Sequence, residues 1–331
     1  MERRVWYRSV WVWIIILLGA LVLTVVIWLA LPLRHATAPA YAPPGATAYF
    51  HARLDPEAEG TEMLVRQARE RFLASAPGRL ERAAFSAAVR FGMPTTVSGW
   101  IVPGDSASQP DFVGVATMKR AGRVARLLGG GAMSRRLLGT EARTGRHVGR
   151  RVHYRDGTSD ASRIAAYTFA RDTIVVSSDP DLLRAALEPN ALSAHDPAFN
   201  TDIEEGLAAS SDLIFVGDNR SGNLTNLVRL VEKRFTFSIM PSADALSNIT
   251  MVSSVENAGL SGEAAFTYDD RRRVKEGRSD VRYLYGVTRR LLRPRGLDME
   301  GDIEVDELMV RLNFRVPEVE RLLASDAAEE M

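Results

Sequence analysis

Asp298–Val316 reads DMEGDIEVDELMVRLNFRV. Asp298, Glu300, Asp302, Glu304 and Asp306 recur at every second position, with Met299, Gly301, Ile303 and Val305 between them. A period of two puts all five acids on one face of a strand. The phase inverts at Asp306-Glu307, after which Leu308, Val310, Leu312 and Phe314 form the apolar set. Two strands joined by a tight turn account for the inversion, so the stretch predicts an antiparallel hairpin. A turn at Asp306-Glu307 sets Arg311 opposite Asp302 and Arg315 opposite Asp298, pairing unlike charges. The alternative is a metal site. Asp298, Glu300, Asp302 and Glu304 are the candidate ligands, because calcium takes carboxylate oxygens. Calcium loops also need a sharp turn and convergent carbonyls, so charge pairing on a solvated face is the simpler account.

Working backward, the same order of patterns occurs twice. The C-terminal copy has a strand at Asp212–Gly217, a helix at Leu224–Phe235, and strands at Ile249–Val255 and Leu260–Tyr268. A helix at Val281–Leu292, the hairpin and a closing helix at Pro317–Leu323 follow. The N-terminal copy opens with a strand at Thr47–Arg53, then a helix near Glu62–Phe72 and strands at Thr96–Val102 and Phe112–Met118. A helix at Gly122–Leu128 ends on Gly129-Gly130-Gly131, as glycine caps do. Strands near Arg150–Tyr154, Arg163–Ala170 and Thr173–Ser178 precede Asp179-Pro180-Asp181, where Asp179 reads as an N-cap with Pro180 at the first helical position. The offset between copies is 165 residues at Thr47 and Asp212 and 148 at Phe112 and Leu260. Strands with interspersed helices and short hairpins predict an α+β fold.

The chain begins differently. Val10–Leu33 has no charged residue and exceeds the ~20 positions that a bilayer-spanning helix needs. Arg3, Arg4 and Arg8 precede it, which keeps the N-terminus cytoplasmic. Trp6, Tyr7, Trp11 and Trp13 flank one end and Trp28 the other, as interfacial rings do. A cleaved signal peptide is the competing reading, since Ala36-Thr37-Ala38, Ala38-Pro39-Ala40 and Ala40-Tyr41-Ala42 fit a small-x-small site. Signal cores run only about 7–15 residues, however. The expected layout is a cytoplasmic tail (1–9), a transmembrane helix (10–33) and a Pro/Ala linker (34–46) read as an extended spacer. Two similar mixed-sheet modules with helices packed on their sheets follow (47–190 and 212–323), joined by a connector (191–211). A disordered tail (324–331) ends the chain. The expected place is a bacterial inner membrane, with the modules outside.

Across 331 residues, 42 Lys and Arg balance 41 Asp and Glu, which gives no field to gather nucleic acid. There is no cysteine, so disulfides, thiolate catalysis and cysteine metal sites are excluded. A cysteine-free external domain suits a bacterial envelope and a core large enough to be stable alone.

Pro44-Gly45-Ala-Thr-Ala-Tyr-Phe50 and Thr173-Ile-Val-Val-Ser-Ser-Asp-Pro-Asp-Leu-Leu-Arg-Ala-Ala-Leu187 carry a resemblance. The chain resembles bacterial single-pass envelope proteins of unknown function with an external, duplicated α+β module. That class implies an anchor and an extracytoplasmic fold. It brings no catalytic residues.

Chemistry is sparse. His147 and His153 are six apart and on one unbroken strand would share a face, but a third ligand is missing. His51 reads as outward-facing beside Phe50. No HExxH, GxSxG or Walker A pattern occurs, and the three glycines at 129–131 follow a helix, the wrong context for a phosphate loop. Arg271-Arg272-Arg273-Val-Lys275 is expected in a turn, and Arg289, Arg290, Arg293 and Arg295 at a helix C-terminus. No catalytic residue and no cofactor is assigned. The expected function is that of a membrane-anchored extracytoplasmic binding or scaffold protein without catalytic activity. The alternatives are an interaction subunit of a secretion or pilus-type assembly, or an enzyme using Asp, Glu and Arg. The expected partners are the lipid bilayer, through residues 10–33, and an envelope protein.

Overall fold

Among the described residues there are twelve strands, and their pairings place every one in a single sheet. They are β1 (Ala48–Arg53), β2 (Thr96–Val102), β3 (Asp111–Thr117), β4 (Ala142–His147), β5 (Arg150–Arg155) and β6 (Ala166–Ala170). After these come β7 (Thr173–Ser177), β8 (Leu213–Asp218), β9 (Leu246–Glu256), β10 (Gly259–Tyr268), β11 (Glu300–Asp306) and β12 (Met309–Val316). The computed structural model describes residues 38–54, 94–104, 110–118, 138–139, 142–155, 164–188, 197–209, 211–235, 240–256 and 259–319. Four α-helices lie among them: α1 (Pro180–Leu187), α2 (Pro197–Ala208), α3 (Asn223–Phe235) and α4 (Arg271–Leu292). The expected span at 10–33, the helices near 62–72 and 122–128, most of the closing helix and the tail lie outside the described residues. No helix among the described residues is long and apolar enough to cross a membrane.

The strand order is β11-β12-β10-β9-β8-β1-β2-β3-β7-β6-β5-β4. Its neighbouring pairs are antiparallel. Two separate mixed sheets were expected; one antiparallel sheet is found. The expected modules share it because their opening strands, β1 and β8, pair with each other. Ala48 lies opposite Gly217, Phe50 opposite Phe215 and Ala52 opposite Leu213. Backbone bonds at the two ends close the seam, from Asp218 N to Thr47 O at 2.8 Å and from Arg53 N to Asp212 O at 2.7 Å.

Successive residues of β8 serve opposite faces. Ile214 and Val216 join the first core with Tyr49, Trp100, Val113, Val175, Leu183 of α1, and Phe199 and Ile203 of α2. Trp100 is fully buried, its ring 4.8 Å from Tyr49 and edge-on to Phe199 at 5.9 Å. The second core lies under α4, where Val274 and Val281 pack with Leu246, Phe266, Tyr268, Val310 and Leu312.

Local chemistry starts the helices. Asp179 Oδ1 accepts from Asp181 N at 2.6 Å and Leu182 N at 3.1 Å, with Pro180 next, as the sequence predicts. Asp270 accepts from Arg272 N at 2.9 Å, so α4 starts at Arg271. The basic run 271–275 is therefore helix and not turn; the cap outweighs the repulsion between neighbouring arginines that face solvent. Another departure is the linker. Residues Ala38–Tyr41 form a 3-10 turn, and Tyr41 and Ala42 are buried in the first core. An aromatic ring next to the first core gains more by burial than an extended spacer would.

Candidate functional site

A cavity of about 670 Å³ lies between α3, α4 and the face formed by β8, β9, β10 and β12. Leu213 and Phe215 come from β8, Leu224, Leu227 and Val228 from α3, and Ile249, Met251 and Ser253 from β9. Leu260, Ala264 and Phe266 of β10, Leu312, Phe314 and Val316 of β12, and Leu284, Tyr285, Thr288 and Leu292 of α4 complete most of the wall. Met240, Met299 and Val319 fill the remainder. No carboxylate, guanidinium, ammonium or imidazole is among these lining groups.

Small residues make the hollow. The cross-strand row Leu213–Ser253–Gly262–Phe314 has a hydroxymethyl and a glycine at its centre, and the next row, Phe215–Met251–Ala264–Leu312, has a methyl. Meanwhile α4 is pinned at its N-terminal half. Gly277 rests against the Tyr268 ring so closely that a Cβ there would collide with it. The buried Asp280 Oδ2 accepts from Ser242 N at 2.7 Å and Ser242 Oγ at 2.6 Å. The start of α3 is fixed by buried Asn219, which donates to Leu246 O at 2.8 Å and Ala243 O at 3.1 Å and accepts from Thr225 N at 2.8 Å.

The polar atoms at the wall are mostly satisfied elsewhere. Tyr285 donates to Met299 O and Thr288 to Leu284 O, both at 2.9 Å. Ser253 differs. It is 2% exposed, and its Oγ has no hydrogen-bond partner among the described residues. A buried hydroxyl without a partner costs about 1–3 kcal/mol. An apolar hollow of this size with one unengaged hydroxyl has the composition of a small-molecule site, in which few polar groups orient a mostly apolar ligand.

A second concavity, of about 450 Å³, opens where the β4–β5 and β6–β7 turns meet. It is lined by Arg146, Gly149, Arg150, Arg151, His153, Phe169, Ala170 and Arg171. Val148, Gly149 and Arg171 hold left-handed backbone (φ 46°, 72° and 57°), which makes both turns tight. His153 stacks on Tyr167 with centroids 4.7 Å apart, and its Nδ1 lies 3.2 Å from Thr144 Oγ1. Burial, and then the Arg151 charge, push its pKa below the usual histidine value.

The acidic row sits otherwise than its spacing implied. Glu300 faces Arg315, Asp302 faces Asn313 and Glu304 faces Arg311, a register two residues from the expected one. The turn is Glu307-Leu308, held in place where Tyr268 N donates to Leu308 O at 2.8 Å and Arg271 reaches Glu307 at 2.8 Å. A slip of two keeps every side chain on its face, so the row still opposes the arginines. Asp298 precedes β11. It accepts from Arg289 Nε at 2.8 Å and from its terminal nitrogen at 3.1 Å, and that bond holds its carboxyl below the usual range. Carboxylates two apart on a strand stand roughly 6–7 Å apart and do not converge on one ion. Among the described residues no three His, Asp or Glu gather as a metal site.

His147 and His153 do not share a strand. They lie on β4 and β5 across the Val148-Gly149 turn, with His147 opposite Arg150. Val148 and Gly149 both reverse the chain, and the six-residue spacing conceals this. The cavity itself was not anticipated. Its trace in the sequence is two small residues, Ser253 and Ala264, on the inward face of two central strands that should be bulky there.

No protein-family profile matches the chain, and no curated protein matches it. Among solved structures it is distantly similar to TP0453, a Treponema protein. Crystal form III superposes with a TM-score of 0.47 at 11% identity, covering 88% of this chain and 97% of that one. Form IV gives 0.47 at 10%, covering 88% and 96%, and form I gives 0.44 at 10%, covering 89% and 98%.

Proposed function

We propose that this is a membrane-anchored extracytoplasmic binding protein that holds an elongated apolar small molecule between α3, α4 and the sheet. The observation that carries this reading is the 670 Å³ cavity, whose wall among the described residues is apolar apart from Ser253, Thr288 and Tyr285. Among the described residues such a wall offers no acid, base or ion partner, which favours binding. Apolar cavities in proteins stay dry and take up apolar molecules. The ligand would reach Ser253 Oγ with one hydrogen-bonding group. Val10–Leu33 supports the anchor, which would keep the cavity near a bilayer.

The strand order supports a duplication. Outward from the central pair, β1-β2-β3-β7-β6 and β8-β9-β10-β12-β11 have the same sense, each a three-strand meander followed by a terminal hairpin with its second strand innermost. The central pairing is symmetric about Phe50 and Phe215, 165 residues apart, the same offset as at the opening strands of the two copies. On this reading the cavity belongs to the second copy. An interaction subunit of an envelope assembly is the alternative; no feature of the cavity favours it.

The test uses the full chain in lipid nanodiscs with the neutral fluorophore N-phenyl-1-naphthylamine, with empty nanodiscs as the blank. Wild type should bind saturably, and Met251→Trp, which fills the hollow, should reduce binding at least tenfold. Equal binding by both would refute the cavity as the site.

A further inference from the structure

We propose that the concavity at the β4–β5 and β6–β7 turns binds a phosphate group between the Arg146 and Arg151 guanidiniums. It involves neither α3 nor α4 and is independent of the apolar cavity. Arg146 and Arg151 are directly opposed across the hairpin. Like charges in that position repel. Neither pairs with a carboxylate among the described residues, although the chain has nearly as many acids as bases. Among the described residues, the Glu188 carboxylate lies 2.9 Å from His147 Nε2. His147 follows Arg146 on the strand and so points to the other face.

The surroundings are shaped for an anion. Arg171 lines the same hollow from the β6–β7 turn, where its left-handed backbone (φ 57°) holds it. His153, 8% exposed and stacked on Tyr167, walls the inner side. Guanidinium forks match phosphate oxygens two at a time, so the Arg146 and Arg151 forks on one hollow suit a phosphate group, as a monoester or a diester. A volume of about 450 Å³ exceeds a bare phosphate and leaves room for what is esterified to it. A free phosphate monoester and a phospholipid headgroup share this chemistry.

Both arginines are exposed on a hairpin at the sheet edge, so their replacement should leave the fold intact, as circular dichroism and an unchanged Tm would verify. The full chain in phosphatidylcholine nanodiscs is titrated calorimetrically with inorganic phosphate, glycerol 3-phosphate and dioctanoyl phosphatidylglycerol. Binding of at least one should be saturable. It should weaken at least tenfold in Arg146→Gln/Arg151→Gln and stay unchanged in Arg278→Gln, an exposed arginine of α4. Binding of all three would indicate the phosphate group itself, and binding of only the phosphatidylglycerol a lipid headgroup. No saturable binding of any probe, or equal binding by the double variant, would overturn the proposal.

Discussion

Ala264→Leu tests whether the space between α3, α4 and the sheet is empty. Ala264 sits mid-strand in β10, 6% exposed, with Met251 and Leu312 as its cross-strand neighbours and the cavity before it. Leucine adds three carbons. At about 0.8 kcal/mol per buried methylene, the full gain would be about 2 kcal/mol. In a close-packed core the same change would cost about 1–3 kcal/mol, so the two situations differ in sign. For a domain of 150–250 residues each kcal/mol moves Tm by roughly 2–4 °C, so the expected rise is about 4–8 °C. Scanning calorimetry of the full chain in nanodiscs measures it, and the variant should also lose naphthylamine binding. A fall in Tm of several degrees would refute the reasoning, because it would mean that the added carbons meet atoms and not a void.

Three further outcomes are expected. Gly277→Ala would push a methyl into the Tyr268 ring and should destabilise by about 1–3 kcal/mol in urea unfolding, since neither helix nor ring can retreat without opening the second core. Asn219→Ala removes one side chain that serves Thr225 N and the carbonyls of Ala243 and Leu246; Ala243 O keeps its bond from Thr225 Oγ1, so the loss at Thr225 N and Leu246 O should cost about 1–3 kcal/mol, read as a lower urea midpoint. Burial lowers the pKa of His51 and His153, with nearby Arg53 and Arg151 adding to the effect. The unfolded chain therefore takes up protons first below ~6.5, so the stability these groups contribute is full above that pH and is lost as pH falls through the lowered folded values. Urea midpoints should fall between pH 7.5 and 5.5, and His51→Gln/His153→Gln should flatten the decline.

Much of the secondary structure was legible in the sequence because period two and capping residues are local. The strand predicted at Thr96–Val102 is β2 to the residue, and Asp179-Pro180 starts α1 as expected. Where long-range contacts decide, the reading failed. β4 and α2 were missed, since Ala-Arg-Thr-Gly-Arg-His has no apolar face and becomes a strand by pairing with β5. The first ten residues of α4 lie outside the helix expected at Val281–Leu292 because Val274 is their one large apolar residue among charged neighbours. The acidic face was foreseen, but its register was two residues off, because the backbone bond from Tyr268 to Leu308 lies outside the hairpin's own pattern. The candidate site was almost invisible: a cavity is an absence of side chains between elements, and spacing along a chain records only their presence.

The pairing of β1 with β8 has a consequence in time. Phe50 meets Phe215 only after 165 further residues have been made. At about 5–20 residues per second that is roughly ten to thirty seconds, during which β1 can pair with β2 but keeps its other edge open. An unpaired edge at the middle of a growing sheet is where a second nascent chain would add its own strand. The strand that later closes this edge thus also ends the chain's exposure to its neighbours on the same message, and slowing synthesis between residues 53 and 213 should raise aggregation even though every native contact is unchanged.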